Sequence, residues 1–455
     1  LKSMRTELGF ELLPGIPEIW LDFLHARLPL APANRNMDFL AAHADAYRRQ
    51  AANSEILLRI FAAAAEAGAP VRDALDRLRQ PGTVAVLAGI YPGLFGGPAF
   101  QTLKCLTALK ICEELARRKI SAVPVCWIRS FVPATFPGRS IALLDAQSEI
   151  QSLTIHTSGA EDFTPWDRLP EREAAALVSR MREIGRDSFD PETLEIIETA
   201  YGAGNTYAQA TAKLLSAFLE DRGLIVCNSC SPDFRRDLGD GMSLSGEDSA
   251  SDYVLQSLCF PAAVCVIDYG EIQEYMDAQQ KFRALNLLPP LAWPQTSATV
   301  GDARSRKILE RYGLDLTQLY FGAQSIMDSL EKSMPTGIAQ QLYGLQQEAE
   351  NRIDKVRALY SSGRGFEKEV ANIRERIIFQ LNRLREKSDA ACKNRSGTTA
   401  RRMRRVCNAL TPNGRIQERD LAGIQWPLRY SRNVFRSLYD RLDIMSSLHQ
   451  LIFMD

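Results

Sequence analysis

A chain of 455 residues is long enough for a large core spread over two or three subdomains. With 45% hydrophobic and 24% charged residues and a formal net charge of zero, it reads as globular. That balance argues against holding nucleic acid by charge alone. No apolar run reaches transmembrane length, and the first residues are not read as a signal peptide. Nine scattered cysteines fit a reducing cytoplasm better than a disulfide framework.

From Gly9 to about Leu78 the pattern is mostly helical, with Met37–Ala46 and Ser54–Gly68 as the clearest segments and Phe61–Ala65 supported by alanine propensity. His25 and His43 fall here and read as structural or exposed. Thr83–Ala88 is a short apolar run expected to be a buried strand, and Gly89–Pro98 a glycine-rich turn. A helix is expected over Ala99–Arg118 and a second buried strand over Ala122–Ile128. Together they make a β–loop–α–β unit whose loop sits where a strand ends and a helix begins, a usual place for an anion. The backbone N–H groups of Gly93, Gly96 and Gly97, with Lys104 adding charge, are the candidate anion holders.

Ser140–Leu144 and Glu149–His156 suggest an inserted hairpin, Pro170–Arg186 a helix with acidic residues in its first turn, and Thr206–Leu219 another helix. Gly223–Cys227 is a strand and Asn228–Pro232 its turn. Cys227 and Cys230 have CxxC spacing, but no second ligand pair stands near, so a strand-end and a turn cysteine are expected instead. Asp233–Asp252 reads as a polar loop or lid, Ala262–Ile267 as a further buried strand.

The last third changes character. Ile338, Leu342, Leu345, Ala349, Ile353, Val356 and Leu359 recur at steps of three and four, and the pattern resumes at Phe366, Val370, Ile373, Ile377, Leu381 and Leu384. This predicts two amphipathic helices joined by a glycine-containing turn, an antiparallel hairpin suited to pairing two copies of the chain. Arg401, Arg402, Arg404 and Arg405 form a basic run, either a solvated face or a phosphate-binding surface. Beyond Leu410, pattern alone gives a turn and then helices.

Gly93-Leu94-Phe95-Gly96-Gly97-Pro98, the Lys104 helix, Val123–Ile128, Gly270-Glu271-Ile272, Leu288–Pro294 and Leu410–Arg419 with its Gln-Glu-Arg ending together resemble the bacillithiol-biosynthesis cysteine-adding enzyme family. Leu428–Ser431 and His449–Ile452 continue the likeness, which covers the chain from about residue 10 to its end. The resemblance implies a Rossmann-like α/β core with inserted segments and a C-terminal coiled-coil hairpin that pairs two subunits. It divides the chain into a helical segment at 1–78, a core at 79–320, a hairpin at 321–408 and a returning segment at 409–455. The implied activity is ligation of an amino acid, cysteine in the family, to an amine acceptor.

The polar motifs depart from the family pattern. Ala88-Gly89-Ile90-Tyr91 stands where Thr-Gly-Gln-Gln is typical, Phe131–Ala134 where Glu-Asp-His-Asp is typical, and Tyr275-Met276-Asp277 and Gln295 differ as well. These changes suggest an altered substrate. Tyr91, Arg129 and Glu271 are the candidate catalytic residues, Asn228 and Asp277 further candidates for substrate binding, and Asp268 another acidic candidate. Arg401, Arg405 and Arg419 are candidates for a nucleotide or phosphate; the cofactor is unknown, with ATP or ADP possible and no metal site evident. Two alternatives stay open: a non-catalytic dimeric relative, whose cleft Ile90, Phe131, Val132 and Trp293 would fill, and acyl or amino-acid transfer using Cys227 or Cys230.

Overall fold

The computed structural model describes residues 6–30, 36–48, 68–156, 163–202, 204–230, 248–333, 337–359 and 364–454. The expected helix over Ser54–Gly68 and its Phe61–Ala65 run therefore lie almost wholly outside the described residues, as does most of the expected loop over Asp233–Asp252. Two compact units emerge, Leu1–Gly313 with Asn408–Asp455, and Leu314–Cys407.

In the larger unit the first described element is a short strand β1 (Thr6–Leu8), and the main sheet is reached at β2 (Val84–Ile90). The glycine loop leads into helix α1 (Phe100–Arg117) and then β3 (Ala122–Ile128). A hairpin of β4 (Ser140–Leu144) and β5 (Ile150–Thr154) is inserted next. Helix α2 (Tyr207–Leu219) and β6 (Ile225–Asn228) follow, then α3 (Ser249–Cys259), β7 (Ala262–Ile267), α4 (Ile272–Ala284), β8 (Leu291–Pro294) and β9 (Ala298–Asp302).

The five-stranded sheet runs β6-β3-β2-β7-β8 with every neighbouring pair parallel, the doubly wound arrangement expected of a Rossmann-like core. Strands β2, β3 and β7 are buried along their whole length. Their sequences are accordingly near-continuous apolar runs, because helices cover both faces of such a sheet. The strand β2 runs two residues further than the sequence suggests, through Gly89 and Ile90. Gly89 lies under the Arg129 side chain; a Cβ there would stand 3.2 Å from Arg129 Cδ, so a glycine lets the arginine cross the strand end.

Two expectations are corrected. The segment expected as loop up to Asp252 already holds the first turn of α3, where Asp248 caps the helix by accepting from the Ser251 N–H at 2.7 Å. The C-terminal stretch, expected as helix, ends in strand β10 (His449–Met454), which runs antiparallel to β1 and parallel to β9 in a three-stranded sheet. Burial on both sides explains its unbroken apolar ending, Leu451–Met454.

The smaller unit contains α5 (Gly337–Leu359) and most of α6 (Arg364–Leu410). Leu342, Ala349, Ile353, Val370, Ile377 and Leu381 are half-buried. Leu345, Val356, Ile373 and Leu384, from the same apolar repeats, remain 51%, 51%, 46% and 52% exposed. Among the described residues no helix is long and apolar enough to cross a membrane.

Candidate functional site

Strand order reverses between β2 and β7, and ligands of open α/β sheets bind in the crevice beyond the carboxyl ends of the strands at such a point. Six pieces of chain deliver polar side chains there. Tyr91 follows β2, Arg129 follows β3, and Asp268 and Glu271 follow β7; Lys104 projects from α1, Asp252 and Tyr253 from α3, and Glu274 from the first turn of α4.

Arg129 is enclosed on all sides. Its Nε donates to Asp252 Oδ2 at 3.0 Å, Nη1 to Glu271 Oε1 at 3.0 Å and to the Tyr91 hydroxyl at 2.9 Å, and Nη2 to the Ser249 carbonyl at 3.0 Å. Glu274 Oε2 lies 3.1 Å from Nη1 and also accepts from the Tyr91 hydroxyl at 3.2 Å. The Tyr91 and Tyr253 rings flank the guanidinium at 4.9 and 4.7 Å. Lys104 Nζ donates to the Gly89 carbonyl at 2.6 Å and to both Glu271 oxygens. The backbone of Tyr91 is fixed in turn by the Gln101 amide, which accepts from its N–H at 3.0 Å and donates to its carbonyl at 2.5 Å.

Lys104, Arg129 and Arg419 face Asp252, Asp268, Glu271 and Glu274, one carboxylate more than cations. Burial pushes the Glu271 carboxyl up from its usual range, although Lys104 and Arg129 pull the other way. Asp252 is likewise pushed up by burial against the pull of Arg129. At Asp268 burial is outweighed by Arg419 and Lys104, which hold the carboxyl low. Burial alone would lower Arg129, but Tyr91, Tyr253, Glu274 and Asp252 keep it firmly protonated. Of the carboxylates, Glu274 is the one that keeps contact with solvent, its side chain 17% exposed.

The glycine loop is fastened to the protein itself. Tyr201 is its rivet: the hydroxyl accepts from the Gly96 N–H and donates to the Gly93 carbonyl, both at 2.6 Å. The Gly93 N–H donates to Thr211 of α2 at 3.3 Å and the Gly97 N–H to the Leu94 carbonyl at 2.9 Å. Gly97 has φ +69° and a Cβ there would meet the Phe136 ring at 3.1 Å, so both backbone and space require glycine. The three N–H groups expected to hold an anion are thus already occupied by protein acceptors.

The Gln-Glu-Arg stretch clamps the region after β8. Gln417 accepts from the Val300 N–H and donates to its carbonyl, both at 2.8 Å. Glu418 accepts from Gln295 at 3.1 Å, Ser297 at 3.0 Å and the Ala298 N–H at 2.8 Å, and burial pushes its carboxyl up to about 7. His449, at the start of β10, sits between the Ser297 and Thr299 hydroxyls at 2.7 and 2.9 Å, and burial pulls it down to about 3. Arg419 stacks between Phe100 and Tyr269 at 3.9 and 3.8 Å and pairs with Asp268 at 3.2 Å.

Tyr91, Arg129, Glu271, Lys104 and Asp268 are therefore brought together. Asp277 is not: it is exposed on α4 and accepts from Gln273 at 3.0 Å. Asn228, at the end of β6, accepts from the Cys230 N–H at 3.0 Å. Arg419 belongs to the larger unit and Arg401 and Arg405 to the smaller. Cys227 and Cys230 are buried and in no disulfide, the Cys230 thiol donates to the Arg129 carbonyl at 3.6 Å, and burial pushes the Cys227 thiol up, away from the thiolate a nucleophile needs. Ile90 and Trp293 are fully enclosed strand residues, while Phe131 and Val132 are half-buried. Sequence reasoning missed Asp252, Tyr253, Glu274 and Gln101. Glu274 had an available signal, since it stands three residues after Glu271 at a helix start.

Residues 33–244 match the family described as bacillithiol biosynthesis BshC, N-terminal Rossmann-like domain, and residues 298–454 match its C-terminal coiled-coil domain. The chain belongs to the BshC family. Relatives provisionally named cysteine ligase BshC include one from Solibacter usitatus, 21% identical over 461 residues covering 84% of this chain and 87% of that protein. One from Salinibacter ruber is 22% identical over 467 residues, covering 84% and 85%, and one from Koribacter versatilis 22% over 445 residues, covering 80% and 83%. The family match takes in β2, β3 and β6 of the parallel sheet and the long helices, so the Rossmann-like α/β core and the helical coiled-coil region are BshC features of this chain.

Proposed function

We propose that this BshC-family chain is a ligase that forms an amide between an amino acid and an amine acceptor, with a substrate that differs from the family's usual one. The observation that carries the reading is the Tyr91–Arg129–Glu274 contact at the switch point, backed by the buried Lys104–Glu271 pair. A substrate carboxylate would take the place on Arg129 that Glu274 now holds, since Glu274 is the partner nearest solvent. The released Glu274 carboxylate would then accept a proton from the attacking amine, with Tyr91 hydrogen-bonded beside it. Lys104, Glu271 and Asp252 act as positioning residues that keep Arg129 in place. Joining a free carboxylate to an amine expels water and is uphill in water, so the carboxylate needs activation, and ATP is the donor to test first.

The exposed apolar residues of α5 and α6 support a homodimer formed through the helical region, and buried cysteines that form no disulfide fit a cytoplasmic setting. A second reading, a non-catalytic dimeric relative, draws support from one observation: Arg129 and Lys104 have all their strong contacts inside the protein. Incubating the purified chain with glucosaminyl malate, mixed amino acids and ATP, with mass detection, tests the ligase reading. An aminoacylated acceptor that disappears in Glu274→Gln supports the ligase; no product beside an active family member removes ligation to that acceptor.

A further inference from the structure

A cavity of about 530 Å³ opens at the opposite end of the sheet from this site. Its floor includes Ala122 and Pro124, where β3 begins, and Leu109 and Cys112 from the later turns of α1. Arg129 follows the far end of β3, so about 20 Å of strand separates cavity and crevice. The volume is that of a small-molecule pocket, apolar below and polar at the rim.

The rim carries Arg77, Arg222 and Arg436. None makes an ion pair among the described residues, and Arg77 reaches only the Ala122 carbonyl, at 3.5 Å. Arg222 Cζ lies 4.3 Å from the centroid of the Tyr439 ring, and its N–H groups carry no hydrogen bond among the described residues, which leaves them for a bidentate oxyanion. Of the acids at the rim, Glu113 is engaged by Arg117 at 2.5 Å and by the Tyr439 hydroxyl. Asp221 and Asp440 remain, so the unpaired guanidiniums outnumber the unpaired carboxylates.

We propose that this cavity is a second ligand site, for a small organic oxyanion whose phosphate or carboxylate groups are held by Arg77, Arg222 and Arg436. It is separate from the crevice, though α1 and β3 run between the two.

Titration calorimetry on the full chain tests this with inorganic pyrophosphate and, separately, citrate, at low and raised salt. One of the probes is expected to bind at one site per chain, more weakly as salt rises. Arg222→Ser with Arg436→Ser should weaken it at least tenfold with an unchanged thermal midpoint, whereas Glu274→Gln should leave it intact. Asp440→Asn, which removes a competing carboxylate, should tighten it. The preferred probe tells phosphate from carboxylate. No binding of either at 10 mM, equal binding by the arginine double variant, or a tenfold loss in Glu274→Gln overturns the proposal, as does failure of Asp440→Asn to tighten binding.

Discussion

Lys104 and Glu271 form a two-point ion pair, 2.7 and 2.6 Å from Nζ to the two carboxylate oxygens, with neither side chain open to water. Such a pair stabilises little against an apolar pair of the same shape, but breaking it leaves a buried charge. Lys104→Met is therefore expected to lower stability by about 3–5 kcal/mol in urea unfolding. Adding Glu271→Gln should recover part of that loss, because Arg129 keeps other partners. Recovery of none would show that Glu271 serves Arg129 more than Lys104.

Glu418 and His449 set opposed pH dependences through one shared serine. The Glu418 carboxyl is raised from its usual 4.5 to about 7, so the folded state holds a proton the unfolded state has lost, and stability falls as pH rises across that window. His449 is lowered from 6.5 to about 3, so the unfolded state binds the extra proton and stability rises with pH across its window. Where the windows overlap, from 4.5 to 6.5, the two slopes cancel. Replacing His449 with Gln should expose the Glu418 slope, about 1.4 kcal/mol per pH unit at most, in denaturant titrations at stepped pH. A flat profile in that variant counts against a protonated Glu418.

Removing the Tyr201 hydroxyl takes a donor and an acceptor from the glycine loop at once. Tyr201→Phe should cost roughly 1–3 kcal/mol and speed hydrogen exchange at the Gly96 amide, leaving the ring packed on Phe95 at 4.8 Å. Unchanged exchange at Gly96 would assign the fastening to the other loop contacts.

The helical region offers a test of assembly. If two copies pair through the exposed apolar residues, Ile373→Lys with Leu384→Glu should shift sedimentation equilibrium from dimer to monomer. A wild-type monomer at tens of micromolar would rule out pairing at that strength.

The strands β2, β3 and β7 were legible because each is a short apolar run bounded by turn residues, the pattern of a strand buried on both faces. The helical repeats in the last third were legible for the same reason, as a period that survives even where the side chains stay exposed. Strand β10 was not: its pairing with β1 and β9 involves residues far away in sequence, and a four-residue apolar run does not say what will lie beside it. The site was half legible. Tyr91, Arg129 and Glu271 follow strands and could be placed by topology, whereas Asp252 stands in a polar stretch that reads as loop until Asp248 is recognised as a cap. The glycine loop shows the limit of motif reading, because the N–H groups that suggest an anion are satisfied by a tyrosine and a threonine from other elements and by the loop's own Leu94 carbonyl.

β10 lies between β1 and β9. During synthesis, β1 leaves the ribosome well ahead of its partner, since Thr6 pairs with Leu451, 445 positions later. At 5–20 residues per second that interval is roughly 20 to 90 seconds. Until then Thr6–Leu8 has no strand to pair with and the Ser297 and Thr299 hydroxyls have no His449 between them. The small sheet therefore works as a late latch: a ribosome that stalls before His449 holds a chain with two unpaired strand edges, a state in which chaperone capture or proteolysis competes with completion.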